Sequence, residues 1–156
     1  MIDKKEQYMI KALRQARAAL QHGEVPVGAI IVNKQGEIIA RGYNKVESKG
    51  CQCAHAEMIA LQKACKKTGD WRLNGCWIYV TLEPCLMCFG LIQLSRIEGL
   101  VYGAQSPLFG CGVSKKGRKQ LLGSKGLRII KGVRDGECAN LLQLFFKGVR
   151  MQKEKG

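Results

Sequence analysis

Apolar and polar positions alternate along this chain with two different periods, and the switches between them mark out helices and strands. Residues 4–21 set Met9, Leu13, Ala16 and Leu20 on one stripe of a helix, and Gly23 stands where that helix would stop. Residues 27–32 and 37–40 are β-rich runs on either side of Asn33-Lys34-Gln35-Gly36, the composition of a hairpin connection. The polar stretch 41–54, with Gly42 and Gly50, reads as a loop, and a helix follows over 55–67. Residues 76–81 form a short strand that runs into Glu83-Pro84, and Pro84 opens a helix over 85–94. Strands over 100–103 and 127–131 flank a glycine-containing loop at 105–117. A last helix covers 135–151, and a frayed tail covers 152–156.

Strands that alternate with helices predict an α/β fold, a three-layer α-β-α sandwich around a five-stranded mixed sheet. At 156 residues, without an internal repeat or linker, the chain is expected to be a single domain spanning 1–156. Apolar residues make up 46% and charged residues 24%, which is ordinary for a globular protein. No run of eighteen apolar residues occurs, so no membrane span is expected. The charged start Met1-Ile2-Asp3-Lys4-Lys5-Glu6 is unlike a signal peptide, and a cytoplasmic location follows as the expectation. In that setting the eight cysteines are metal ligands, buried apolar residues or free thiols, not a disulfide scaffold.

Charge changes the picture. The net charge is +14, of which residues 115–156 carry +9 and residues 1–114 only +5. Such a field suits a polyanion, most simply nucleic acid, although a solvated basic surface would look the same in composition.

The candidate chemistry lies in two segments, Cys53-Ala54-His55-Ala56-Glu57 and Thr81-Leu82-Glu83-Pro84-Cys85-Leu86-Met87-Cys88. His55, Cys85 and Cys88 supply one imidazole and two thiolates, three ligands for Zn2+ with the fourth tetrahedral position left open for water. Cys85 and Cys88 share one face of a helix by their spacing of three, and His55 and Cys85 both fall at helix N-termini, where partial positive charge favours thiolates. Zinc brings the acidity of a water towards neutrality, and Glu57, two residues from His55, is the candidate proton carrier. The same His-x-Glu and Pro-Cys-x-x-Cys signature marks the zinc-dependent nucleobase deaminases. A closed structural zinc completed by Cys51 or Cys53 is the competing reading. It leaves Glu57 without a role. Cys65, Cys76, Cys111 and Cys138 read as buried or free thiols, and His22 as a helix-end residue.

Over nearly its whole length the sequence resembles the bacterial tRNA-specific adenosine deaminase family, which belongs to the cytidine deaminase superfamily. The resemblance is carried by Glu24-Val25-Pro26-Val27-Gly28-Ala29, Gly42-Tyr43-Asn44, the two zinc segments, and Glu137-Cys138-Ala139 with Phe145-Phe146. The zinc half is common to the superfamily. Similar guanine deaminases tend to carry Gly-x-Pro-Phe-Gly-Ala and Ser-Cys-Glu-Pro-Cys instead, and free-cytidine deaminases usually have Cys as first ligand.

The resemblance implies a homodimer that converts adenosine to inosine at the wobble position of a tRNA anticodon stem-loop. It also implies that Asn44 contacts the nucleoside, that Val27 and Leu82 line the base pocket, and that Ala54 and His55 pack near the flipped base. Glu24 would contact flanking nucleotides, and Phe145, Phe146, Lys147 and Arg150 are candidate RNA contacts, the phenylalanines equally candidates for burial. At Gln105-Ser106-Pro107-Leu108-Phe109-Gly110 the chain departs from the Asp, Lys and Gly usual in the family. A free-base deaminase and a non-catalytic zinc-dependent RNA-binding protein are the alternative functions.

Overall fold

The computed structural model describes residues 1–112 and 126–156. Helix α1 (Lys4–Gln21) buries the stripe Met9, Ala12, Leu13, Ala16 and Ala19, with Asp3 as N-cap accepting from the Lys5 amide. Strands β1 (Gly28–Val32) and β2 (Ile38–Tyr43) form the hairpin, and the Asn33 carboxamide oxygen accepts from the amides of Gln35 and Glu37 to close its turn. A four-residue helix α2 (Val46–Lys49) interrupts the expected loop, ended by Gly50 in the left-handed conformation. Then come α3 (Ala56–Thr68), β3 (Trp77–Leu82), α4 (Leu86–Leu94), β4 (Gly99–Ala104), β5 (Arg128–Lys131) and α5 (Asp135–Lys155).

The sheet runs β2-β1-β3-β4-β5. The β1–β2 and β1–β3 pairings are antiparallel, and β3–β4 and β4–β5 are parallel. This mixed sheet divides two cores. Ala56, Ala60, Leu61 and Ala64 of α3, with Phe89 and Ile92 of α4, cover one face over Ala29, Ile31, Ile78, Val80 and Leu100. Met9, Ala12 and Leu13 of α1, with Cys138 of α5, cover the other face over Ile30, Tyr79 and Val101. The three-layer expectation holds.

Two helices approach the sheet so closely that only glycine fits beneath them. A Cβ at Gly28 would lie 2.2 Å from the Ala12 carbonyl oxygen, and one at Gly42 would lie 2.6 Å from the Ala56 carbonyl oxygen. Gly42 therefore sets the height of the first turn of α3 above the sheet.

Two expectations are corrected. Pro84 precedes the N-cap Cys85 instead of opening the helix, because Cys85 has extended backbone angles and helical ones begin at Leu86. The tail is not frayed: α5 continues to Lys155, since Gln152, Lys153, Glu154 and Lys155 are all good helix formers. Residues 113–117 of the expected loop lie outside the described residues.

Candidate metal centre and active site

The strand directions bring the site together. Because β1 runs antiparallel to both β2 and β3, the start of β1, the end of β2 and the end of β3 all lie at one end of the sheet. Val27, Asn44 and Leu82-Glu83 therefore converge there, and the N-termini of α3 and α4 meet at the same place. Thr81 accepts a hydrogen bond from the Gly28 amide through its hydroxyl at 3.1 Å, tying β3, which leads to Cys85, to the start of β1 beside Val27.

His55 is the N-cap of α3 and Cys85 the N-cap of α4, both in extended conformation and neither using its side chain to cap. The ligand atoms are thus free to face one another. His55 Nδ1 lies 3.7 Å from Cys85 Sγ and 3.5 Å from Cys88 Sγ. A tetrahedral zinc with bonds of about 2.0–2.1 Å to nitrogen and about 2.3 Å to sulfur sets such a pair about 3.5–3.6 Å apart. The three side chains fit the ion. Among the described residues they form the metal-ligand group of this kind, and Cys51 and Cys53 are exposed and outside it. His55 turns its other nitrogen, Nε2, towards Gln52 Oε1 at 3.4 Å, a partner that orients the ring.

Electrostatics at the centre follow from this crowding. Hydrogen bonds from Cys88 and His55 hold the Cys85 thiol down at about 4. The same bond to Cys85, together with burial and the nearby Glu57, drives the Cys88 thiol up, so the pair shares one proton in the absence of an ion. The Cys85 contact raises His55. Glu57 is only 4% exposed, and burial raises its carboxyl above the ordinary range. It stands two residues past the α3 cap, in the helix's first turn.

A pocket of about 290 Å³ opens over these groups. That is close to the small end of ligand sites, which run from roughly 300 Å³ upward. Val27, Asn44 and Leu82 line it with His55, Glu57 and Cys85. Asn44 is mostly buried, donating from Nδ2 to the Val25 carbonyl at 3.3 Å and accepting from the Val46 amide at 3.3 Å, so it braces two walls together. Ala54 is buried beside the pocket but is not among its lining residues; its carbonyl accepts from the Lys45 amide at 2.9 Å.

Glu24 departs from the expectation of a nucleotide contact. Its side chain is wholly buried and turned inward, accepting from the amides of Glu47 at 2.7 Å and Ser48 at 3.3 Å. Val25, Val46, Glu47, Gln52 and Glu83 also line the pocket and escaped sequence reasoning. For Gln52 the spacing of three from His55 was an available signal, and Val25 and Glu83 stand inside the two motif segments; for Val46 and Glu47 nothing local distinguished them. Phe146 is exposed and Phe145 half-buried, their rings meeting edge to face on α5 with Lys147 and Arg150 exposed nearby.

A helix–sheet–helix sandwich with one histidine, two cysteines and a buried glutamate at the helix N-termini defines a zinc-binding deaminase. The chain belongs to the cytidine and deoxycytidylate deaminase zinc-binding family, whose model matches residues 2–104. Within it, the chain is 43% identical to the tRNA-specific adenosine deaminase of Bacillus subtilis, over 96% of this chain and 92% of that protein. It is 39% identical to the tRNA-specific adenosine deaminase of Streptococcus pyogenes, over 98% of this chain and 90% of that one. Among solved structures, one from a study of A-to-I editing by tRNA:A34 deaminases superposes with a TM-score of 0.80 at 38% identity, covering 87% of this chain and 99% of that chain. A guanine deaminase from Nitrosomonas europaea superposes at 0.78 with 30% identity, covering 90% of this chain and 83% of that chain.

Proposed function

We propose that this protein hydrolytically deaminates adenosine to inosine at position 34, the wobble position of a tRNA anticodon. The observation that carries the reading is Glu57, buried against the His55, Cys85 and Cys88 group in a pocket sized for one base. Similarity to tRNA-specific adenosine deaminases over nearly the full chain supports adenosine in tRNA as the substrate.

His55, Cys85 and Cys88 would hold one zinc ion, which supplies a water acidic enough to react at neutral pH. Glu57 would take a proton from water and deliver it to N1 of the base as the water oxygen bonds to C6 and the N1–C6 double bond opens. The same carboxylate then carries a proton to the amino group as the C6–N bond breaks, so adenosine and water become inosine and ammonia. A buried carboxyl suits this work, since it exchanges protons nearer neutrality than an exposed one.

Val27 and Leu82 would grip the base, Asn44 would meet the nucleoside, and Ala54 would back the wall behind it. The excess of +9 in the last 42 residues supports an RNA partner, with Lys147 and Arg150 as phosphate contacts. Leu86, Met87, Leu94, Leu108 and Phe109 are exposed apolar side chains on and beside α4, which supports a homodimer. Among the described residues no helix is long and apolar enough to cross a membrane, and a tRNA substrate suits a cytoplasmic, single-domain enzyme.

The second reading, guanine deamination, is favoured by the resemblance to the Nitrosomonas europaea structure. Incubation with an anticodon stem-loop carrying A at the wobble position, beside guanine and free adenosine, separates the two. Inosine in the RNA alone is expected. Consumption of guanine alone would replace this reading with the second.

A further inference from the structure

Glu83 lines the pocket, yet its carboxylate does none of the work assigned to Glu57. It is 3% exposed, and among the described residues no salt bridge reaches it. Its oxygens face backbone donors instead. Oε1 accepts from the Ser106 amide at 3.1 Å, and Oε2 accepts from the Gly112 amide at 3.2 Å and from the Cys111 thiol at 3.7 Å. A buried carboxylate satisfied by backbone dipoles can organise chain that has no regular structure of its own.

The segment so gathered returns to the metal-bearing turn. The Cys111 amide donates to the Pro84 carbonyl at 2.7 Å, and Cys85 pairs with Gly110 in an isolated antiparallel bridge. The approach is close: a Cβ at Gly110 would lie 2.3 Å from Glu83 Oε1. The Glu83 amide itself donates to Ala104 at the end of β4 at 2.8 Å, which anchors the carboxylate to the sheet.

We propose that Glu83 is a positioning residue, a buried latch that folds residues 106–112 against the Pro84-Cys85 turn and so holds the Cys85 sulfur in place opposite His55. It acts on the metal centre through Cys85 and touches no reacting atom. Its bearing on turnover rests on the deaminase reading; its bearing on the metal does not.

The test uses the zinc-loaded protein and two variants. Glu83→Gln keeps the size of the side chain but turns an acceptor into a donor that faces backbone N–H groups. Gly110→Ala leaves the carboxylate intact and drives a methyl group against it and against the Ser106 carbonyl, 2.4 Å away, prising the gathered segment off the latch. Amide hydrogen exchange at Ser106 and Gly112, zinc loss to a chromogenic chelator, and kcat and KM on the RNA stem-loop are measured for each. Both variants should exchange those two amides at least about tenfold faster and lose zinc about ten- to a hundredfold faster, the range for partners that orient metal ligands. On the stem-loop, kcat should fall while KM stays within about twofold, as for a displaced ligand rather than weakened substrate binding.

Wild-type exchange and zinc release in either variant that folds would overturn the latch. So would a loss of protection spread evenly over β3 and β4, which would make Glu83 a residue of the general core. Should Glu83→Gln not fold, Gly110→Ala decides. Should the wild type convert no RNA, exchange and zinc release still decide the latch, and the deaminase reading fails on its own.

Discussion

Glu24 reaches across the chain to Glu47, accepting a hydrogen bond from its backbone amide at 2.7 Å. The side chain that resemblance assigns to RNA is spent on holding α2, the short helix that gives Val46 and Glu47 to the pocket wall. Glu24→Ala should leave the amides of Glu47 and Ser48 without their acceptor, at a cost of about 1–3 kcal/mol in urea unfolding. RNA binding by this variant should keep the wild-type salt dependence. A changed preference for the nucleotides flanking the target, in a variant that folds, would mean that Glu24 meets the nucleic acid after all.

Glu57→Ala should retain zinc and fold normally while kcat falls by about 10²–10⁴, the range for a missing proton carrier. Metal content by atomic absorption and single-turnover kinetics on the stem-loop check the two halves separately. Loss of the metal along with activity would move Glu57 from the proton path to the ligand set.

Removal of the metal should expose an unusually reactive thiol. With the Cys85 thiol held at about 4, a protein stripped by chelator carries a thiolate there at pH 6, where an ordinary cysteine near 8.5 is protonated. Iodoacetamide at pH 6 should label Cys85 in the stripped protein and spare it in the zinc-loaded one, as read by peptide mass spectrometry. Cys138, pushed up to about 12 by burial, gains its thiolate only as pH rises towards that value and should stay unlabelled at pH 8 in the folded protein. Labelling of Cys138 as fast as the exposed Cys51 would contradict its placement between α5 and the sheet.

Gly42→Ala should disturb the active site from below. The added methyl would meet the Ala56 carbonyl at 2.6 Å and lift the turn of α3 that bears Glu57. Overpacking of this kind costs about 1–3 kcal/mol. The melting temperature and kcat should fall together, and a variant with both at wild-type values would show that α3 rides freely over β2.

Lys147→Glu with Arg150→Glu should weaken stem-loop binding and reduce the salt slope by about one for each phosphate that is no longer neutralised. Fluorescence anisotropy across a salt series reads both. Unchanged binding would leave the basic C-terminal helix as a solvated surface.

What could be read from the chain in advance was what repeats locally. The stripe Met9-Leu13-Ala16 foretold α1, and the spacing of three between Cys85 and Cys88 foretold their shared face. Contacts between distant segments were not legible. Nothing near Glu24 or Glu83 in sequence says that either carboxylate turns inward to amides more than twenty residues away. Helix α2 escaped because four residues carry too little periodicity, and the acceptor for two of its amides, Glu24, is distant in sequence. The sheet order likewise depends on pairings that loop lengths alone do not dictate, with β1 taking β3 as its second neighbour across the whole of α3.

The sources of the pocket's two halves have an evolutionary consequence. His55, Glu57, Cys85 and Cys88 come from two helix starts, whereas Val27, Asn44 and Val46 come from the hairpin side of the sheet and its adjoining turn. Drift in the second set can change which base is held without disturbing the first. One scaffold can then acquire a new substrate by substitutions along that rim and at Leu82, which faces it from the end of β3. In such a lineage, inherited hydrolysis would outlast each change of diet.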